Sequence, residues 1–150
     1  MLKQLVLFEW RFHTRQISFY AGVLIFFLIG LFLGSRTGGG SAVVYINSPY
    51  VIGRSLHLFS LFAIFLLTAF CANAMLRDAQ NKMAELIFAT PVSKLRFLLS
   101  RFLGSFSAAF LTFSAVAAGM LLGNDMPWVD SELLGPTHIS HYLWSLAVAV

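Results

Sequence analysis

Charged residues fall in bunches along this chain, and the stretches between the bunches are almost wholly apolar. No Asp, Glu, Lys or Arg occurs at positions 16–35, 55–76 or 102–124, runs of twenty, twenty-two and twenty-three residues. A hydrocarbon layer about 30 Å thick takes about 20 helical residues at about 1.5 Å each, so every one of these runs is long enough to cross a bilayer. The pattern predicts an all-α integral membrane protein with spans over 17–34, 55–76 and 98–123. A fourth apolar run opens with His141, Tyr142, Leu143 and Trp144 and meets the end of the sequence after about half a spanning length. It reads as the start of a fourth span at 141–150. The expectation is therefore a single transmembrane domain over 1–150 belonging to a longer protein, with a short hydrophobic tail in the membrane interface as the competing reading.

Two segments outside the spans carry a helical pattern of their own. On a wheel turning about 100° per residue, Lys3, Gln4, Arg11, Thr14 and Arg15 share one arc of residues 2–16, interrupted only by Leu7. Leu2, Leu5, Val6, Phe8, Trp10 and Phe12 fill the rest. This predicts an interfacial helix over 1–16, anchored by Lys3, Trp10, Arg11 and Arg15, with the basic edge toward anionic headgroups. Glu9 and His13 lie four apart within its mainly apolar side, placed to pair with each other, with a neighbouring helix or with headgroups. The second segment is a short amphipathic helix over 78–90. There Asp78, Asn81, Lys82 and Glu85 fall on one side, and Ala79, Met83, Leu86, Ile87 and Thr90 on the other. Pro91 stops it by disfavouring helical geometry at Thr90, and Ser93 can cap the helix that follows. Within the spans, small residues recur four apart. Gly30 with Gly34, Gly104 with Ala108, Ser114 with Ala118 and Ala115 with Gly119 mark faces on which helices can approach closely.

Composition agrees with the pattern and removes several classes of function. Of 150 residues, 59% are hydrophobic and 11% charged, which leaves too little polar sequence to cover three such helices in water. One cysteine, Cys71 inside the second run, excludes a disulfide framework. The net charge of +4 is spread over the flanks of apolar runs without a continuous basic stripe, so nucleic acid is not the partner. The basic residues instead set topology. With the N-terminus in the cytoplasm, Lys3, Arg11, Arg15, Arg77, Lys82, Lys94, Arg96 and Arg101 are inside, eight of the ten, and the acidic loop 125–139 is outside. A cleaved signal peptide ending near Gly40-Ser41-Ala42 is excluded by the length of the apolar stretch 17–33 and the aromatic leader before it.

Chemistry is sparse. The glycine triplet 38–40 lacks the Gly-Lys-Ser/Thr of a phosphate loop, and Val43 to Ile46 reads as a short strand or extended cover. His138 and His141 sit at i and i+3 near three carboxylates, yet no zinc signature surrounds them, and an interfacial aromatic-histidine cluster is the ordinary reading. His57 reads as a helix-bundle contact. There is no nucleophile elbow, no H-E-x-x-H and no Walker sequence, so neither catalytic residues nor a metal or cofactor of the chain's own is expected.

The order of basic leader, helix, loop, helix, cytoplasmic amphipathic segment Met83-Ala-Glu-Leu-Ile-Phe-Ala-Thr-Pro-Val-Ser-Lys94 and third helix resembles the ABC-2 type permeases, the membrane subunits of ATP-binding cassette transporters. Glu85, Leu86, Thr90, Pro91, Val92 and Lys94 match the family's cytoplasmic stretch. Phe8-Glu9-Trp10-Arg11 and Asn47-Ser48-Pro49-Tyr50 look like a bacterial subgroup, some of whose members continue into a zinc aminopeptidase domain. The resemblance implies that 78–90 is a coupling helix docking in a groove of a cytoplasmic ATPase subunit, with Asp78, Lys82 and Glu85 orienting it. It further implies ATP and Mg2+ in that partner, a second permease copy or half, and a bacterial cytoplasmic membrane. Substrate export follows from the same resemblance. Such permeases usually have six spans, and this chain has three and a fraction. The alternative function is a small multi-span protein that anchors or assembles a partner complex through its glycine faces.

Overall fold

The computed structural model describes residues 2–35, 44–80 and 94–149, and among them the regular structure is entirely helical. The helices are α1 (Leu2–Thr14), α2 (Ile17–Ser35), α3 (Pro49–Gln80), α4 (Lys94–Gly123) and α5 (Ile139–Ala149), with a single 3-10 turn at Ser131–Leu133. Three are long and apolar enough to cross a membrane, over Ile17–Ser35, Pro49–Leu76 and Leu95–Gly123. The helices outrun the uncharged stretches at several ends, because a charge does not end a helix while backbone partners and caps remain.

Local chemistry explains where they begin and stop. α1 contains neither Gly nor Pro and closes with tight turns, Arg15 N–H donating to the Phe12 carbonyl at 3.2 Å and Gln16 N–H to His13 at 3.1 Å. α2 then starts one residue later. The Ser35 hydroxyl donates to the Phe32 carbonyl at 3.2 Å at the end of α2. α3 is opened by Ser48, whose side-chain oxygen accepts from Val51 N–H at 3.4 Å, with Pro49 in the first turn where its missing N–H costs nothing. Polar side chains inside the apolar stretches bond back to their own helix. Ser60 donates to the His57 carbonyl, Thr68 to Ile64 and Ser107 to Leu103, which satisfies hydroxyls where no water is at hand.

The chain forms two compact units, one of residues 1–20 and 63–110 and the other of 21–62 and 111–150. The first buries Phe19, Phe70, Ala74, Ala108 and Ala109 together with a polar group, Glu9, His13, Ser100, Arg101 and Ser105. The second buries Ile46, Ile52, Leu56, Phe113, Val116, Ala117, Met120, Tyr142 and Leu146. In the second unit α2 and α4 touch backbone to backbone. A Cβ on Gly30 would land on the Val116 carbonyl, and one on Gly34 on that of Met120. Reciprocally, a Cβ on Gly119 or Gly123 would land on the α2 backbone near Phe27 and Leu31. Lipid is as apolar as leucine, so such contacts hold helices by close packing rather than by burial from water.

The segment around Val43 to Ile46 is not a strand where it is described. Ile46 N–H donates once to the Leu133 carbonyl, and the Asn47 side chain takes over the pairing with the segment that follows Leu133.

Candidate functional site

The first unit contains a buried polar cluster that joins α1 to α4. Gly104 is the point of closest approach, where an added Cβ would overlap the Cβ of Glu9. The space left by the glycine lets the Glu9 side chain lie over α4 and form an ion pair with Arg101, one turn earlier on that helix. Both are withdrawn from solvent, Glu9 at 2% exposure and Arg101 at 7%. Arg101 is bracketed on its other side by Phe97, whose ring centre lies 5.0 Å from the guanidinium carbon. One turn further along α1, the fully buried His13 shares a hydrogen bond of 3.2 Å with the Ser105 hydroxyl. The His13 ring also lies 5.2 Å from that of Phe70 on α3. Asn73 on α3 donates to Gln16 at the turn between α1 and α2 at 3.3 Å, so two helices, α3 and α4, converge on the leader and the turn that follows it.

This arrangement reverses one part of the wheel-based expectation and keeps another. Lys3, Gln4, Leu7, Arg11 and Arg15 are exposed together, and Trp10 is half-buried. The opposite face is not simply apolar, for Glu9 and His13 are its most buried members and each has found a partner 92 positions away. Of the openings left open for that pair, a neighbouring helix takes both. Arg101, counted in the sequence among the cytoplasmic basic residues, is thereby held within the protein.

The small residues have distinct neighbours. Gly30 and Gly34 meet α4, Gly104 meets α1, and Ala108 is fully buried one turn further along α4. Of the proposed docking residues, Asp78 falls in the last turn of α3 and Lys94 is the first residue of α4. Lys82, Glu85, Leu86, Thr90, Pro91 and Val92 lie outside the described residues, as does the helix expected over 81–90. Even so, the helices on either side of that segment are the two that share the polar cluster with α1.

Residues that the pattern did not single out make the joints of the second unit. Asn47 donates to the Gly135 carbonyl at 2.6 Å and to Thr137 at 3.3 Å, while its own oxygen accepts from Gly135 N–H at 2.8 Å. This pairing is what a backbone strand would make, supplied by one amide side chain. Gly135 suits it because an added Cβ would lie 3.0 Å from the Tyr45 ring. Asn124, just past α4, donates to the Tyr142 hydroxyl on α5 at 2.6 Å. An Asn-Ser-Pro string is a turn and cap signal, and Asn47 was readable to that extent; its partner was not. His57 is exposed and its Nδ1 donates to the Gly53 carbonyl of its own helix at 2.6 Å, so the contact is local rather than between helices. The His138 and His141 rings meet edge to face with centres 5.2 Å apart, and among the described residues no three His, Cys, Asp or Glu side chains gather as a metal site would require.

Compared with known proteins, residues 47–150 match the model of the family described as ABC-2 family transporter protein. No curated protein and no solved structure matches the chain.

Proposed function

This chain belongs to the ABC-2 transporter family, and from that membership we propose that it is a permease subunit whose work is driven by a separate cytoplasmic ABC ATPase docking on residues 78–94. The observation that carries the reading is the extent of the match. It covers α3, the segment after it and α4, which are two membrane-length helices and the connection between them.

The cluster gives such docking a mechanical consequence. A force applied to 78–94 enters α4 at Lys94, and within about three turns α4 holds α1 through Arg101, Gly104 and Ser105. α3, on the other side of the docking segment, holds the same leader through Phe70 and Asn73. A helix pair locked by packed side chains moves as a rigid body, which is what nucleotide-driven switching of a transport pathway needs. In this reading the N-terminus is cytoplasmic, a second permease copy or half completes the pathway, ATP and Mg2+ are held by the ATPase, and the membrane is the bacterial cytoplasmic one.

The test is to purify the full-length protein from membranes of cells that also produce an ABC ATPase encoded beside it. The parent chain is expected to bring the ATPase with it, and Glu85→Lys and Pro91→Leu to insert normally but lose it. Equal recovery of the ATPase with both variants would reject docking at this segment. Failure of the parent to retain any ATPase would reject the permease reading itself.

A further inference from the structure

We propose that the groove between α1 and α4 seats one anionic phospholipid, with its phosphate at Lys3 and an acyl chain along Val6, Leu7 and Trp10. The groove has a volume of about 460 Å3 and is lined by Lys3, Val6, Leu7 and Trp10 of α1 and by Ser107 of α4. The four α1 residues follow i, i+3, i+4 and i+7, so they form one strip of a single helix face, about 10 Å long from Lys3 to Trp10. Ser107 does not make the opposite wall polar. Its hydroxyl donates to the Leu103 carbonyl at 2.5 Å and is within 3.1 Å of that of Gly104. Away from Lys3, such walls offer a polar solute no partner and accept hydrocarbon.

Charge then selects among lipids. Lys3 and Arg11 are exposed on α1 and Arg15 in the turn just after it, and the helix's acidic residue, Glu9, is buried in the ion pair with Arg101. The pair removes the negative charge from the outer surface of the helix, which is left cationic. A bilayer supplies the complementary group as a lipid phosphate attached to the chain that the strip accommodates. Trp10 closes the apolar end of the strip with a ring suited to the boundary between headgroups and acyl chains. Leu7 is 54% exposed along the strip, a large apolar surface in need of cover. The inference rests on the interfacial placement of α1 that accompanies the permease reading.

Trp10 is the built-in probe. The full-length protein, with Trp10 kept as its one tryptophan and all others, Trp128 and Trp144 among them, replaced by Phe, is reconstituted into vesicles of phosphatidylcholine and phosphatidylglycerol in which one lipid at a time carries mid-chain bromine. At equal low fractions, brominated phosphatidylglycerol is expected to quench Trp10 several-fold more than brominated phosphatidylcholine. Lys3→Gln should reduce its quenching to the phosphatidylcholine level, and Arg15→Gln, which lies outside the groove, should preserve the preference. Equal quenching by the two lipids in the parent protein, or a preference untouched by Lys3→Gln, overturns the seat. So does an equal loss in Arg15→Gln, which assigns the preference to diffuse charge. These results leave the permease reading standing, since recovery of the ATPase tests that separately, whereas no quenching by either lipid overturns the interfacial placement of α1 as well.

Discussion

Glu9 and Arg101 show how little a residue's type says about its situation. In the sequence each is an ordinary charge near the end of an apolar run, and helical periodicity places Glu9 on the wrong side of its wheel. In the fold each is the other's reason for being buried, since an isolated charge taken from water is costly and a hydrogen-bonded pair much less so. That argument makes a prediction by double substitution. Arg101→Ala, which takes the buried cation away from Glu9, is expected to cost roughly 3–5 kcal/mol of stability, while Glu9→Met with Arg101→Met, which removes both charges, should be far milder and close to neutral. Thermal unfolding of the purified variants in one detergent decides it. Equal loss in the single and the double variant would show that packing against Gly104 and Phe97, rather than charge, holds the site.

At the scale of elements, the contact between α2 and α4 depends on the absence of side chains at four positions. Gly30 and Gly34 were readable as a close-packing face from their spacing alone. Their opposite numbers on α4, Gly119 and Gly123, are spaced by the same four residues, but the sequence offered several small pairs on α4 and no way to rank them. Gly104 belongs to a different contact, that with α1. The distinction is testable because the space at each glycine differs. Gly119→Leu drives a side chain into the α2 backbone and is expected to abolish a folded, monodisperse product. At Gly22→Ala the new methyl would sit 3.3 Å from the Thr112 methyl, which can yield by a few tenths of an ångström, so yield and melting temperature should stay near the parent values. Size-exclusion profiles and melting curves of the two variants make the comparison, and a well-folded Gly119→Leu protein would refute the backbone contact.

For the whole molecule, the question is which side of the membrane each end faces. The distribution of Lys and Arg predicts a cytoplasmic N-terminus, with residues 77–101 on the same side and the loop 125–139 outside. Burial of Arg101 against Glu9 takes one residue from the cytoplasmic set of eight, and seven against two still gives the same orientation. In a background freed of native cysteines, Cys71 among them, Ser131→Cys is expected to react with a membrane-impermeant maleimide in intact cells, and Gln4→Cys only after the membrane is opened. The reverse pattern would invert the orientation and remove 78–94 from any cytoplasmic partner.

The sequence by itself determined that this is a helical membrane protein with three spanning runs and an amphipathic basic leader. All of these follow from how individual residues partition between water, interface and hydrocarbon, a property that needs no knowledge of distant contacts. It also carried the family resemblance through the string around Glu85 and Pro91. Only the tertiary structure decided that the leader is tied to α4 by Glu9 and His13, that Asn47 replaces a strand pairing by clasping Gly135, and that Gly119 and Gly123 are the glycines facing α2. Each of these joins residues some 90 positions apart. Such pairings depend on which helices become neighbours and in what register, and no local period or composition records that choice.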